Sequence, residues 1–218
     1  MRTRRQVLRF TVGALSGLCF LYNPLLKGMR WAWATGSRVI LPKGTETHSL
    51  ISKNPANLDA RNLEITPLEH FGTMGLKDHV VDLDSWRLEV TGEVRKPLSL
   101  TYSQLIALPS MERRVLQICP GFFANHGQWK GISIGELFRR AEAEEGVTHV
   151  TVSGPEGSYP KVVTFPMEEI RSDKIFLANQ VNGKPLPQKH GFPLRLVAED
   201  RYGYDWVKYV CLITAEKK

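Results

Sequence analysis

The sequence predicts one mixed α+β domain, strand-rich, with a few short helices and long loops. Two observations carry that prediction. From Trp86 onward, short runs of apolar residues at period two recur between turn-forming residues, the pattern of half-buried strands. The helical stretches among them are few and lack the repeated strand–helix–strand spacing of a parallel doubly wound sheet. At 218 residues the chain is long enough to bury a substantial core. Its 42% apolar and 23% charged residues, with 18 Gly and 13 Pro, exclude disordered, collagenous and coiled-coil classes. No internal repeat or low-complexity segment interrupts it.

Residues 1–34 stand apart. TRRQVLRF is followed by the apolar run Thr11–Leu26 and by the small residues Ala32 and Ala34. A basic start, an apolar stretch short for a membrane span and an A-x-A-like triplet describe an export signal. Arg4-Arg5, followed by Val7, Leu8 and Arg9, resembles the twin-arginine type, which implies a periplasmic location. The alternative is an uncleaved anchor associating with a membrane through residues 10–34, with Trp31 and Trp33 at the interface. The formal charge of +7 also belongs here. Six basic residues and no acid lie in this segment, leaving 23 basic against 22 acidic side chains in residues 35–218. Without a basic stripe in the folded part, nucleic acid is excluded as a partner.

Residues 35–85 show little periodicity and are rich in Gly, Pro, Asn, Asp and His. They read as an irregular segment, with 35–57 an arm preceding a domain at 58–218. So long a stretch without regular structure points to function or to wrapping around something. WRLEVTG (86–92) alternates as a strand, Thr101 caps a short helix ending before Pro109, and RRVLQI (113–118) is a strand reaching Cys119. ISIGELFRRAEAE (132–144) reads as an amphipathic helix, with Ser133 as N-cap and Glu136 three residues on. Strands follow at 147–153 and 159–165, then the short helix MEEIR, strand 175–181, an Asn182-Gly183 turn, and strands 193–199 and 206–215.

Chemistry concentrates in two places. CPGFFANHGQWKG (119–131) crowds Cys, Pro, Gly, Asn, His and Trp into a predicted loop between strand and helix. On residue type alone, Cys119 is a nucleophile with His126 or His190 as its base, a metal ligand, or a buried thiol. A disulfide with Cys211 suits an exported protein, but Cys211 lies in WVKYVCLIT, where alternation makes it a buried small hydrophobe. Zinc is disfavoured, since the six histidines and two remaining thiols show no H-x-H, H-x-x-x-H or C-x-x-C spacing. No phosphate-binding G-x-x-x-x-G-K-[ST] loop is present. The second place is KHGFPLRLV (189–197) with RYGYDWVKYV (201–210), where His190, Arg195 and Lys208 flank Gly-punctuated strand ends. Three such donors suit an anionic ligand approaching close to the backbone; solvated strand-edge charges are the plain alternative.

The ordered set NGKPLP (182–187), HGFPLRLV, YGYDWVKYV and a single strand-end Cys before W-x-G-I-S resembles the molybdopterin-binding domain of the sulfite oxidase family, which includes the catalytic subunit of the periplasmic methionine-sulfoxide reductase. The resemblance spans about residues 58–214. It implies a sulfite-oxidase-type fold and a molybdenum cofactor, molybdenum held by molybdopterin, with Cys119 as the one protein ligand to the metal. A soft thiolate complements a metal otherwise held by dithiolene sulfur. By the same resemblance His190, Arg195, Trp206, Val207 and Lys208 surround the pterin and its phosphate. TPLEHFGTMG (66–75) resembles the reductase branch's cofactor segment, which implies that Glu69, His70 and Phe71 line the pocket, with a further contact at Ser153 or Gly154.

This sequence departs from the sulfite-oxidising pattern after its cysteine, where PGFFANHGQW carries no arginine before Arg139. An apolar approach lined by Phe122, Phe123 and Trp129 is expected instead, with Asn125, His126 and Tyr202 as substrate contacts or proton donors. The predicted activity is therefore two-electron oxygen-atom transfer of reductase type on a small-molecule or sulfoxide-type substrate. There is no C-x-x-C-H haem attachment motif, so the expected electron source is a separate haem or quinone-linked membrane subunit. Two other classes compete: a non-redox anion- or cofactor-binding protein on the same fold, and a cysteine hydrolase.

Overall fold

A computed structural model describes residues 37–157 and 160–218; the export-signal reading of residues 1–34 lies outside the described residues. The segment from Val39 to Lys218 forms one compact unit. Its arm is stitched by a parallel pair, β1 (Val39–Ile40) and β2 (Leu58–Asp59). Short 3-10 turns at Thr47–Leu50, Pro55–Asn57 and Leu68–His70 carry the chain onward.

From Leu88 the alternation in the sequence becomes sheet. β3 (Leu88–Gly92) buries Leu88 and Val90 and leaves Glu89 and Thr91 half-buried. After β4 (Leu98–Leu100) comes α1 (Tyr102–Ile106), closed by a complete capping box between Thr101 and Gln104. β5 (Met111–Cys119), β6 (Phe123–Ser133), α2 (Ile134–Arg140), β7 (His149–Ser153), β8 (Val162–Pro166) and α3 (Met167–Arg171) follow. β9 (Ile175–Val181), β10 (Lys184–Pro185), β11 (Arg195–Ala198) and β12 (Leu212–Glu216) complete the chain. One sheet has the order β4-β3-β12-β7-β8, with β3 and β12 parallel; the other runs β10-β9-β6-β5, with β11 also on β9.

Both sheets feed one main core. Leu88, Val90, Val152 and Ile213 from the first meet Trp129, Ile132, Phe176 and Leu196 from the second, with Leu137 and Phe138 of α2. A smaller cluster joins Leu41 and Leu50 of the arm, and Leu63 just after it, to Leu116, Ile118 and Ala124 of the β5–β6 hairpin. The arm therefore covers one face of that hairpin and leaves the other for the site.

Three predicted elements change. The 119–131 loop is instead a tight turn followed by the eleven-residue β6. Its glycines mark close packing rather than a loop: a Cβ on Gly131 would lie 1.8 Å from the Leu177 carbonyl oxygen, where the β6–β9 register shifts. The helix predicted over 132–144 starts later, because Ile132 and Ser133 pair with Leu177 and Phe176, and it stops at Arg140 before Glu142 turns to φ 51°. The strand predicted over 206–215 begins only at Leu212, since Tyr209 has φ 54°. The Asn182-Gly183 turn forms with φ of 52° and 74° and joins β9 to β10. Among the described residues Cys119 and Cys211 are both free.

Candidate functional site

The β5–β6 hairpin positions Cys119. Alternation sends Leu116 and Ile118 toward the small core, while Gln117 and Cys119 line a cavity on the other face. The thiol borders two cavities of about 340 Å³ and about 50 Å³, which share Met74, Gly203, Trp206 and Lys208 in their walls. Cys119 is 9% exposed, burial pushes its pKa up, and its Sγ lies 4.0 Å from Met74 Sδ.

Behind the smaller cavity sits a cation that, among the described residues, has no carboxylate partner. Arg195, 3% exposed, has its guanidinium carbon 5.0 Å from the Trp129 ring centre and 5.2 Å from that of Trp206. It donates to the His190 carbonyl at 3.0 Å, and its Nε has no hydrogen-bond partner. Burial lowers its pKa to about 9. His190 is buried with Nε2 unpartnered; burial first, then the charges of Arg195, Lys189 and Lys208, hold it down to about 4. Lys208, on the wall of both cavities, is lowered to about 8 by burial and by Arg195 and Lys77.

The remaining sequence-predicted residues divide. Trp206 lines both cavities. Phe71 is buried against Trp129 and, edge-on, His190 at 5.8 Å. Val207 is buried and uses its carbonyl to accept from Leu196 N–H. Asn125 lies beneath the site on the Cys119 face, where its side chain grips Gly72 N–H at 2.9 Å and Gly72 C=O at 3.0 Å. Ser153 ends β7, its carbonyl accepting from Cys211 N–H; Pro155, two residues on, reaches the larger cavity.

Several expectations need correction. Asn125, 1% exposed with its amide committed to Gly72, lines neither cavity, and of the expected apolar approach only Phe123 does. His126 does not reach the cavities: strand alternation turns it to the arm-covered face, where Nδ1 lies 3.1 Å from the Glu64 carbonyl oxygen. Tyr202 packs against the small core, and Tyr204 takes the cavity position instead. Glu69 and His70 are exposed on a 3-10 turn and line neither cavity, because only Phe71 turns inward there. Sequence reasoning missed Gln117, Met74 and Lys161, all lining residues. Gln117 was legible, standing two residues before Cys119 on a strand, whereas Met74 and Lys161 arrive by loop folding with no local signal.

These residues fit a molybdopterin. One thiol faces the cavities, two buried nitrogens behind them lack partners, an ammonium stands on the wall, and among the described residues no carboxylate lines either cavity. An anionic carrier with its own sulfur ligands would need only these groups from the protein. Among the described residues no three His, Cys, Asp or Glu side chains converge, so a metal here would take one protein ligand and the rest from its carrier.

Comparison with known proteins agrees. Residues 75–218 match the oxidoreductase molybdopterin binding domain. The chain is 30% identical over 142 residues to the protein-methionine-sulfoxide reductase catalytic subunit MsrP of Gluconobacter oxydans, covering 57% of this chain and 45% of that protein. It is 31% identical over 149 residues to MsrP of Xanthomonas campestris, covering 62% and 46%. The match thus spans less than half the length of either relative. It is also 26% identical over 145 residues to the uncharacterized oxidoreductase YuiH of Bacillus subtilis, covering 66% and 70%. The crystal structure of the sulfane dehydrogenase SoxCD from Paracoccus pantotrophus shares the fold, with a TM-score of 0.62 at 24% identity over 84% of this chain and 51% of that one. With a cysteine facing a carboxylate-free cavity and a domain match over residues 75–218, the chain belongs to the oxidoreductase molybdopterin-binding domain family.

Proposed function

We infer that this domain reduces a sulfoxide-type substrate by two-electron oxygen-atom transfer, with Cys119 as the protein ligand to molybdenum. The observation that carries the reading is the placement of the Cys119 thiol on the wall shared by two cavities backed by Arg195 and Lys208. When bound, the cofactor supplies two-electron redox chemistry and a site for the oxygen atom. Two electrons and two protons convert a sulfoxide to a thioether and release water.

The chain's own residues bind, orient and shield. Arg195 and Lys208 supply positive charge for the anionic end of the cofactor, and the Trp129 and Trp206 rings pack against the guanidinium. Ligation requires Cys119 to lose its proton, against the upward push of burial, so metal binding releases a proton. Pro155, Pro160 and Tyr204 line the larger cavity. Their apolar surface suits a sulfur carrying carbon substituents better than a small oxyanion.

The reductase direction is supported by the printed name of the MsrP relatives, and their designation as catalytic subunits supports a separate electron-transfer subunit for this chain. Export to the periplasm by the twin-arginine route, with residues 10–34 either removed or kept as an anchor, belongs to the same proposal. It rests on Arg4-Arg5 and the apolar run that follows.

The test is metal and pterin analysis of the full chain from a molybdopterin-competent host, followed by turnover with methionine sulfoxide and with sulfite. About one molybdenum per chain and sulfoxide reduction are expected. Cys119→Ser should retain pterin and lose turnover. A metal-free chain with a filled ligand site would favour the non-redox binder, and an Arg4→Lys/Arg5→Lys chain that still reaches the periplasm would overturn the export route.

A further inference from the structure

Residues 72–76 cross the site as a strap, and two separate handles hold it. The first is Asn125, whose side-chain amide both accepts from and donates to the Gly72 backbone. Gly72 also lies so close to Phe123 that a Cβ there would be 2.2 Å from the ring. The second is Lys208. Its ammonium donates to Thr73 Oγ1 at 2.8 Å, to the Leu76 carbonyl at 2.6 Å and to the Lys189 carbonyl at 2.9 Å. The Thr73 hydroxyl donates in turn to that same Lys189 carbonyl at 3.1 Å.

An ammonium has three protons and no acceptor, so all three Lys208 donors are committed to neutral oxygens. A phosphate oxygen reaching Lys208 must displace at least one of them, and a charge-assisted bond to an anion is stronger than one to a carbonyl or hydroxyl. The strap is the side that yields. Met74 and Gly75 are exposed, no Cβ-range neighbour surrounds Gly75, and a segment with few buried contacts opens at low cost. Met74, the residue over Cys119 Sγ, lies between Gly72 and Leu76.

We propose that residues 73–76 form a latch that competes with the anionic group of molybdopterin for Lys208, so that loading the cofactor frees the strap and withdraws Met74 from Cys119. The latch rests on the cofactor reading above and adds to it a conformational change that accompanies loading. Gly72, held by Asn125, is the hinge and stays in place.

The experiment uses the full chain made in a host blocked in molybdopterin synthesis and the same chain loaded with the cofactor, with pterin content measured in each sample. Trypsin cleavage after Lys77, at the end of the strap, should be about tenfold faster in the loaded chain. In the cofactor-free chain, Thr73→Val should raise the rate of Cys119 alkylation by iodoacetamide about tenfold, because it removes both the bond accepted from Lys208 and the bond donated to the Lys189 carbonyl. Thr73→Ser, which keeps the hydroxyl, should not. Equal cleavage after Lys77 in a chain shown to hold pterin, or unchanged alkylation of Thr73→Val, overturns the latch alone. A chain that takes up no molybdopterin overturns the latch and the cofactor reading together.

Discussion

The Arg195 guanidinium lies 5.0 Å from the Trp129 ring centre, buried, and among the described residues no carboxylate pairs with it. Ring faces offset part of the desolvation of such a cation, but an unpaired buried charge still lowers the stability of the free protein. Arg195→Met should therefore leave the cofactor-free chain as stable as the parent or about 1 kcal/mol more stable, while pterin content falls at least about tenfold, one charge-assisted contact. Arg195→Lys keeps the charge but not the planar stack, and should fall between. Urea denaturation and pterin content are the measurements; a destabilised Arg195→Met that still loads fully would contradict the assignment.

His190 makes stability depend on pH. Its folded pKa is held at about 4 against an ordinary 6.5, by burial and then by neighbouring cations. Between those values the unfolded chain binds a proton that the folded chain does not. Stability of the cofactor-free chain should accordingly fall as pH drops from about 6.5 to about 4, and the His190 contribution should level off below. His126, lowered mainly by burial, acts in the same direction. His190→Gln should flatten part of the slope in unfolding free energy between pH 7 and 4.5; identical slopes would rule out a neutral buried imidazole.

Gly131 tests the β6–β9 pairing. An added Cβ would meet the Leu177 carbonyl oxygen at 1.8 Å and Ala178 Cα at 2.6 Å, both backbone and unable to swing away. Gly131→Ala should cost about 3 kcal/mol or more, read as a lowered thermal midpoint. Gly135→Ala, with only the Ser133 hydroxyl at 3.2 Å, should change the midpoint far less.

His126 separates the sequence reading from the structural one. Because its ring faces the arm and Glu64, His126→Gln should leave kcat for sulfoxide reduction within about twofold, an effect below 0.5 kcal/mol on the barrier. A loss of a hundredfold without loss of fold would return His126 to the active site.

Much of this protein was legible without coordinates, and the legible parts share a cause. The Thr101 cap, the Ser133 cap, the Asn182-Gly183 turn and the alternation of β3 and β7 depend on residues within a few positions of one another, where local sterics and hydrogen bonding dominate. Cys119 at a strand end, and the nitrogen-bearing side chains of His190, Arg195 and Lys208, were likewise readable from residue type and order.

Tertiary structure decided what depends on contacts between distant residues. A glycine reads as a turn until a neighbouring strand explains it, as Leu177 explains Gly131 in β6. Which face of β6 meets the cavity followed from the arm covering the other, and that placed Asn125 beneath the site and His126 outside it. Met74 reaches Cys119, and Lys208 reaches Thr73, across 45 and 135 positions of chain. Loop closure costs entropy that only the finished core repays, so no local pattern in the sequence announces such contacts.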